Sequence, residues 1–141
     1  MAIKIYTAGK MSGVPLKDCM QWRFNLEDEV NKKVDYAGGV QPIWIHPPLY
    51  YNYEHKNHKN EREVKLFELR HVKDCDILIV DLNGINDSVG SHFEIAAAES
   101  SNKYIIGIGS IDGVHPWITD ALYRVESDVE SAAEYIVNYL L

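Results

Sequence analysis

The stretch Asp76-Ile77-Leu78-Ile79-Val80-Asp81-Leu82 restricts the fold of this chain more than any other feature. A strand with one face in water alternates apolar and polar side chains, and this one does not. Its apolar residues run on without a break, and most of them are β-branched. Such a run needs cover on both faces, which is the environment of a central strand in a parallel sheet with helices above and below.

The flanking segments fit that environment. Ile3-Lys4-Ile5-Tyr6-Thr7 alternates and reads as a first strand, running into the loop Ala8-Gly9-Lys10-Met11-Ser12-Gly13. From Leu16 to Val34 the residues Cys19, Trp22, Leu26 and Val30 recur at helical steps, and Gly38-Gly39 closes the unit. Residues 40–45 read as a second strand, beginning at Val40 or only after Pro42, and halted by Pro47-Pro48. Leu49 to Asn60 is polar and aromatic without periodicity and reads as a loop. A helix over Glu61 to Lys73 carries Val64, Phe67, His71 and Val72 on one stripe. After the central strand, the loop Asn83 to Gly90 leads into a helix over Ser91 to Ser101, and residues 104–109 form another buried strand. A short segment over Trp117 to Val125 and a final helix from Val129 to Leu141 complete the chain. Strand and helix alternate throughout. The pattern predicts a Rossmann-like (flavodoxin-like) doubly wound parallel α/β sheet, one domain over residues 1–141.

Composition narrows the function. A formal charge of -7 disfavours a polymeric nucleic-acid partner, whose affinity rests on neutralising phosphates. It leaves room for a small phosphorylated ligand, which local donors can hold against an unfavourable net field. No apolar run approaches the roughly 18 residues of a membrane span. The chain enters its first strand directly, without a basic stretch and a long apolar one, so a cytoplasmic protein is expected. Cys19 and Cys75 have no metal or redox spacing and are expected in the core. His55 and His58 lack companion ligands, and neither a metal nor a cofactor is expected.

Ligands of open parallel sheets bind outside the carboxyl ends of the strands, which nominates three loops: 8–13, 46–60 and 83–91. In the third, Asp87-Ser88-Val89-Gly90-Ser91-His92-Phe93-Glu94 sets an acid, two serines and a glycine at a helix start, where N–H groups and the helix dipole attract an anion. Ser88 and Ser91 could add hydroxyl donors to a phosphate. The plainer reading is a capping box between Ser91 and Glu94, which would occupy the carboxylate. The first loop matches neither the dinucleotide fingerprint nor the Walker A pattern and serves equally as a tight turn. Tyr50, Tyr51 and Tyr53 suit stacking on a base or ordinary loop packing.

Two blocks carry a family likeness. Ile5-Tyr6-Thr7-Ala8-Gly9-Lys10-Met11-Ser12-Gly13 resembles the opening strand and A-G-P-M-type loop of the nucleoside 2-deoxyribosyltransferases. The buried strand 76–82, followed by Gly90-Ser91-His92-Phe93-Glu94 and the small-residue helix Ile95-Ala96-Ala97-Ala98, resembles their central signature. The resemblance, which includes the related nucleoside 5′-monophosphate N-glycosidases, implies cleavage of an N-glycosidic bond, with the sugar passed to water or another base. It implies that Glu94 is the nucleophile and that Tyr6 touches it. Asp87 would help to position the sugar or base, and Glu68 stands where the family usually has an aspartate. Gly9, Lys10, Met11, Ser88, Gly90 and Ser91 are expected to border the substrate. Arg23 either joins the phosphate pocket or is a solvated helix charge. Glu68, Asp87 or His92 would supply the proton for the leaving base; otherwise His92 makes a loop contact. Glu94, in a first helical turn, is expected to stay ionised. A homodimer or larger homo-oligomer is implied by resemblance alone. The competing readings are a nucleotide-sensing or sequestering domain on the same scaffold and an interaction module built on the tyrosine-rich loop.

Overall fold

In the computed structural model, which describes residues 2–50 and 58–141, parallel strands form one sheet: β1 (Lys4–Ala8), β2 (Ile43–Ile45), β3 (Ile77–Asp81), β4 (Tyr104–Ile108) and β5 (Arg124–Glu126). Their order in space is β2-β1-β3-β4-β5, the flavodoxin-like arrangement of a doubly wound sheet. Strand order reverses between β1 and β3, where Ile5 lies opposite Ile77 and Ala8 opposite Val80. The helices are α1 (Leu16–Ala37), α2 (Pro47–Tyr50), α3 (Glu61–Asp74), α4 (Val89–Ser100), α5 (Pro116–Ala121) and α6 (Val129–Tyr135), the last running on as a π-helical turn over Ile136–Leu140.

Side chains alternate across the sheet and so build two cores. Tyr6, Ala8, Leu78, Val80 and Ile105 face α3, α4 and α5, where they meet Val72, Ile95, Ala98 and Ile118. Ile5, Ile77, Ile79, Ile106 and Ile108 face α1 and α6, where they meet Leu26, Val30, Ala132 and Ala133. The continuous apolar run of β3 is thus covered twice, as its lack of alternation required. Cys19 and Cys75 are both buried and unpaired. α1 ends at Gly38, whose positive φ of 73° lets its N–H return to Asp35 O.

The structure decides one boundary between the two starts the sequence allowed and corrects three others. β2 starts at Ile43, whose N–H bonds Ile3 O at 2.8 Å, because Pro42 has no N–H for the ladder. Pro47-Pro48 ends that strand but also opens α2, where a missing N–H costs little in a first helical turn. α4 begins at Val89, two residues before Ser91. The segment expected over Trp117 to Val125 divides into α5 and an edge strand: β5 is short and largely exposed, and it takes its form from backbone pairing with β4. Among the described residues no helix is long and apolar enough to cross a membrane. Tyr50 packs on Phe67 and His71 of α3, while Tyr51, Tyr53 and His55 lie outside the described residues.

Candidate active site

The carboxyl ends of β1 and β3 open into a cleft of about 430 Å³, a size that suits a small metabolite. The loop after β1 contributes Gly9, Met11 and Ser12, and α3 contributes Glu61, Val64, Lys65, Glu68 and Leu69. The start of α4 supplies Ser88 through Ser91, with Phe93 and Glu94 one turn further on. Asp87, at the end of a 3-10 turn over Ile85–Asp87, reaches the same wall.

Glu94 is 6% exposed, and its Oε2 accepts a hydrogen bond from the hydroxyl of Tyr6, which is fully buried. The capping box is therefore absent: Ser88 occupies the N-cap position without a side-chain cap bond, and its Oγ lies 2.7 Å from Ser91 Oγ. Ser88 and the first-turn residues Val89, Gly90 and Ser91 line the cleft, and the N-cap side chain does not cap the helix. Burial pushes Glu94 up to about 8, with Glu68 adding to the effect, while the Tyr6 bond and Arg23 act in the opposite direction. The expectation of an ionised Glu94 fails for a geometric reason. α4 starts early enough to place Glu94 in its second turn, where the dipole has faded and desolvation dominates.

Glu68, half-buried across the cleft, is pushed up to about 7, again chiefly by burial and against the pull of Arg23. Burial and the neighbouring Glu94 raise Tyr6 well above the usual phenol range, so it remains a neutral donor. Asp81, at the end of β3, is also raised by burial, although Asn83 N–H donates to it at 3.1 Å. Two carboxyl groups with elevated affinity for protons thus share one cleft, an arrangement that permits one to act as an acid while the other acts as a base or nucleophile.

The remaining expected residues part company. Gly9, Met11, Ser88, Gly90, Ser91 and Asp87 line the cleft, and Lys10, His92 and Arg23 do not. Lys10 lies along Gly84, where an added methyl group would come within 3.0 Å of its Cδ. His92 donates from Nε2 to Ile85 O at 2.6 Å and ties α4 to the preceding turn. Arg23 is neither a solvated charge nor on the cleft wall; it is 1% exposed, behind Gly9. Lys65, not singled out from the sequence, sits 4.2 Å above the Phe93 ring at the rim. The spacing of Glu61, Val64, Lys65 and Glu68 marks one face of α3 and could have revealed it. Among the described residues no group of three or more His, Cys, Asp or Glu side chains could hold a metal ion.

No protein-family model matches the chain, and no curated protein matches it. Solved structures do. A conserved protein from Enterococcus faecalis V583 superposes with a TM-score of 0.74 at 16% identity, over 96% of this chain and 98% of that one. A 2-deoxyribosyltransferase from Bacillus psychrosaccharolyticus gives 0.60 at 18% identity, over 96% and 91%. A CMP N-glycosidase from Clostridium botulinum gives 0.51 at 13% identity, over 96% and 99%. At these identities the likeness is one of architecture: the chain has the fold that the 2-deoxyribosyltransferase and the CMP N-glycosidase share.

Proposed function

We propose that this protein cleaves the N-glycosidic bond of a nucleoside 5′-monophosphate. The observation that carries the proposal is the buried Tyr6–Glu94 hydrogen bond at the floor of a cleft that also holds Glu68. Glu94 attacks C1′ through a carboxylate oxygen while the bond from C1′ to the base nitrogen breaks. The electron pair leaves with the base, and Glu68 supplies its proton. Water or a second base then attacks C1′ and frees Glu94; in the hydrolytic case Glu68 takes the proton back from water. The form that can react has one proton on the pair, seated on Glu68. With the Tyr6 bond counted, Glu94 still lies at about 8 and Glu68 at about 7, so this is the minor of the two singly protonated forms, and the Tyr6 hydroxyl raises its share by donating to the Glu94 anion.

The paired hydroxyls of Ser88 and Ser91, together with the uncapped N-terminus of α4, support a phosphate at this end of the cleft. A deoxyribosyltransferase and a nucleotide N-glycosidase of the same fold support the bond attacked. The proposal includes a homo-oligomer, supported by the exposed apolar side chains of Val89 and Phe93 at the cleft rim; light scattering reads the mass directly.

The test is a panel of ribo- and deoxynucleosides and their 5′-monophosphates, incubated with the protein and separated by chromatography for free base. Release by the wild type, with loss of about a thousandfold or more in Glu94→Ala, is expected. Release by Glu94→Ala within a few-fold of wild type would overturn the assignment. A second reading, binding without turnover, draws on the raised Glu94: a neutral carboxyl donates a hydrogen bond to a ligand instead of attacking it. Tight binding of a monophosphate with no base released would favour that reading.

A further inference from the structure

Among the described residues Arg23 is the only lysine or arginine side chain that is buried. It reaches from α1, on the face of the sheet opposite α3 and α4, to the ends of β1 and β3. Its Nε donates to Thr7 Oγ1 at 3.1 Å, its Nη1 donates to Cys19 O at 2.5 Å, and its guanidinium lies 4.7 Å over the Trp22 ring. Nη2 is enclosed and has no hydrogen-bond partner among the described residues. A buried charged donor without an acceptor is unfavourable unless nearby negative charge compensates for it. An added methyl group at Gly9 would lie 3.7 Å from Nη2, so this cation sits, with the side chains of Asp81 and Trp22, against a residue that lines the cleft.

A hydrogen-bonded chain holds the guanidinium in place. Thr7 Oγ1 lies 2.8 Å from His46 Nδ1, and His46 Nε2 lies 2.9 Å from Glu27 Oε1. Burial keeps His46 below its ordinary range despite Glu27, and Arg23 acts in the same direction. With a neutral imidazole one ordering satisfies every group. His46 donates from Nε2 to Glu27 and accepts the Thr7 hydroxyl at Nδ1, leaving a Thr7 lone pair for Arg23 Nε–H. The titratable groups whose charge interacts with the guanidinium are Glu94 of α4, Glu68 of α3, Asp81 of β3, Tyr6 of β1, Cys19 of its own helix and His46.

We propose that Arg23 is a positioning residue of the cleft's acid pair: fixed behind Gly9 by Thr7, His46 and Glu27, it keeps one negative charge on Glu68 and Glu94. The inference rests on the proposed reading of the cleft, since glycosidic cleavage needs one of the two ionised and the other neutral. Desolvation favours two neutral carboxyls, and a neighbouring opposite charge works against that preference, as the guanidinium does for both Glu68 and Glu94.

Carbon-13 NMR of glutamate-labelled protein titrates the two carboxyls without reference to turnover, with Glu94→Gln and Glu68→Gln assigning the signals. In Arg23→Gln, which keeps an amide donor but loses the charge, the first midpoint of the pair should rise. The ionised population at pH 6 should then fall roughly tenfold. Arg23→Lys should stay within about twofold of wild type, because the charge is kept. Should Arg23→Gln fail to fold, Thr7→Val, which removes the Nε anchor and leaves the charge, should raise the midpoint by a smaller step. An unchanged midpoint in the folded variant overturns the inference even if base release persists. Absence of base release by the wild type, with the midpoints moving as stated, would instead sink the reading of the cleft. Where activity is present, the acid limb of kcat/KM should move to higher pH in Arg23→Gln; a merely structural role would lower the rate at every pH without moving that limb.

Discussion

Tyr6, fully buried, donates its hydroxyl hydrogen across 88 positions of sequence to Oε2 of Glu94, which is buried but for the edge it presents to the cleft. The bond joins the central part of the sheet to α4 and gives Glu94 a hydrogen-bond donor. It is the local interaction that most favours the Glu94 anion in a cleft where burial favours the acid.

Tyr6→Phe keeps the ring that packs in the core and removes only this donor. Glu94 should then titrate at a still higher pH, since the bond that favoured its anion is gone. We expect base release to fall about tenfold near neutrality, with the deficit shrinking as pH rises. A pH profile of kcat/KM checks this. A deficit constant with pH would show that Tyr6 contributes packing alone.

The elevated carboxyls also make stability depend on pH. Glu94, ordinarily at 4.5, is at about 8 in the fold, and Glu68 is at about 7. Between the unfolded and folded values the native state binds protons that the unfolded chain has lost, so stability falls as pH rises. The contribution is complete below about 4.5 and is lost as pH passes through about 7 to 8. Glu94→Gln removes one of these groups. Its Tm should match or fall slightly below wild type near pH 4.5 and exceed it by a few degrees at pH 9. Thermal melts across this range decide the matter, and parallel curves for the two proteins would refute it.

The serine pair distinguishes nucleotide from nucleoside. If Ser88 and Ser91 meet a phosphate, the double change to alanine should raise KM for a 5′-monophosphate by about tenfold, the loss of one to two hydrogen bonds to a charged group. KM for the corresponding nucleoside should change by less than about twofold, because that substrate presents nothing to these hydroxyls. Equal effects on both substrates would place the phosphate elsewhere.

The elements that proved legible in the sequence carry their instructions locally. β3 announced its double burial through an unbroken apolar run, and α1 and α3 announced their buried faces through three- and four-residue spacing. Asn60 begins α3 by accepting Glu63 N–H at 3.0 Å, a short-range signal of the same kind. β5 carries none. Its residues are mostly exposed, and its extended form comes from the hydrogen bonds that β4 offers. Lys10 and His92 were singled out because they stand in the right loops, but a loop's position does not fix where its side chains turn. His92 turns back to Ile85 O, and Lys10 lies against Gly84.

Glu94 shows where the division falls. Sequence alone determined that a carboxylate follows a buried strand and a glycine turn at the edge of a parallel sheet, because hydrophobic period and turn chemistry are properties of neighbouring residues. Whether that carboxylate closes a capping box or meets Tyr6, whether it is charged, and whether Arg23 stands in water or behind the cleft were decided by tertiary structure. Those outcomes depend on desolvation and on charges brought together from β1, α1, α3 and α4, and no local pattern records distances between segments so far apart in the chain.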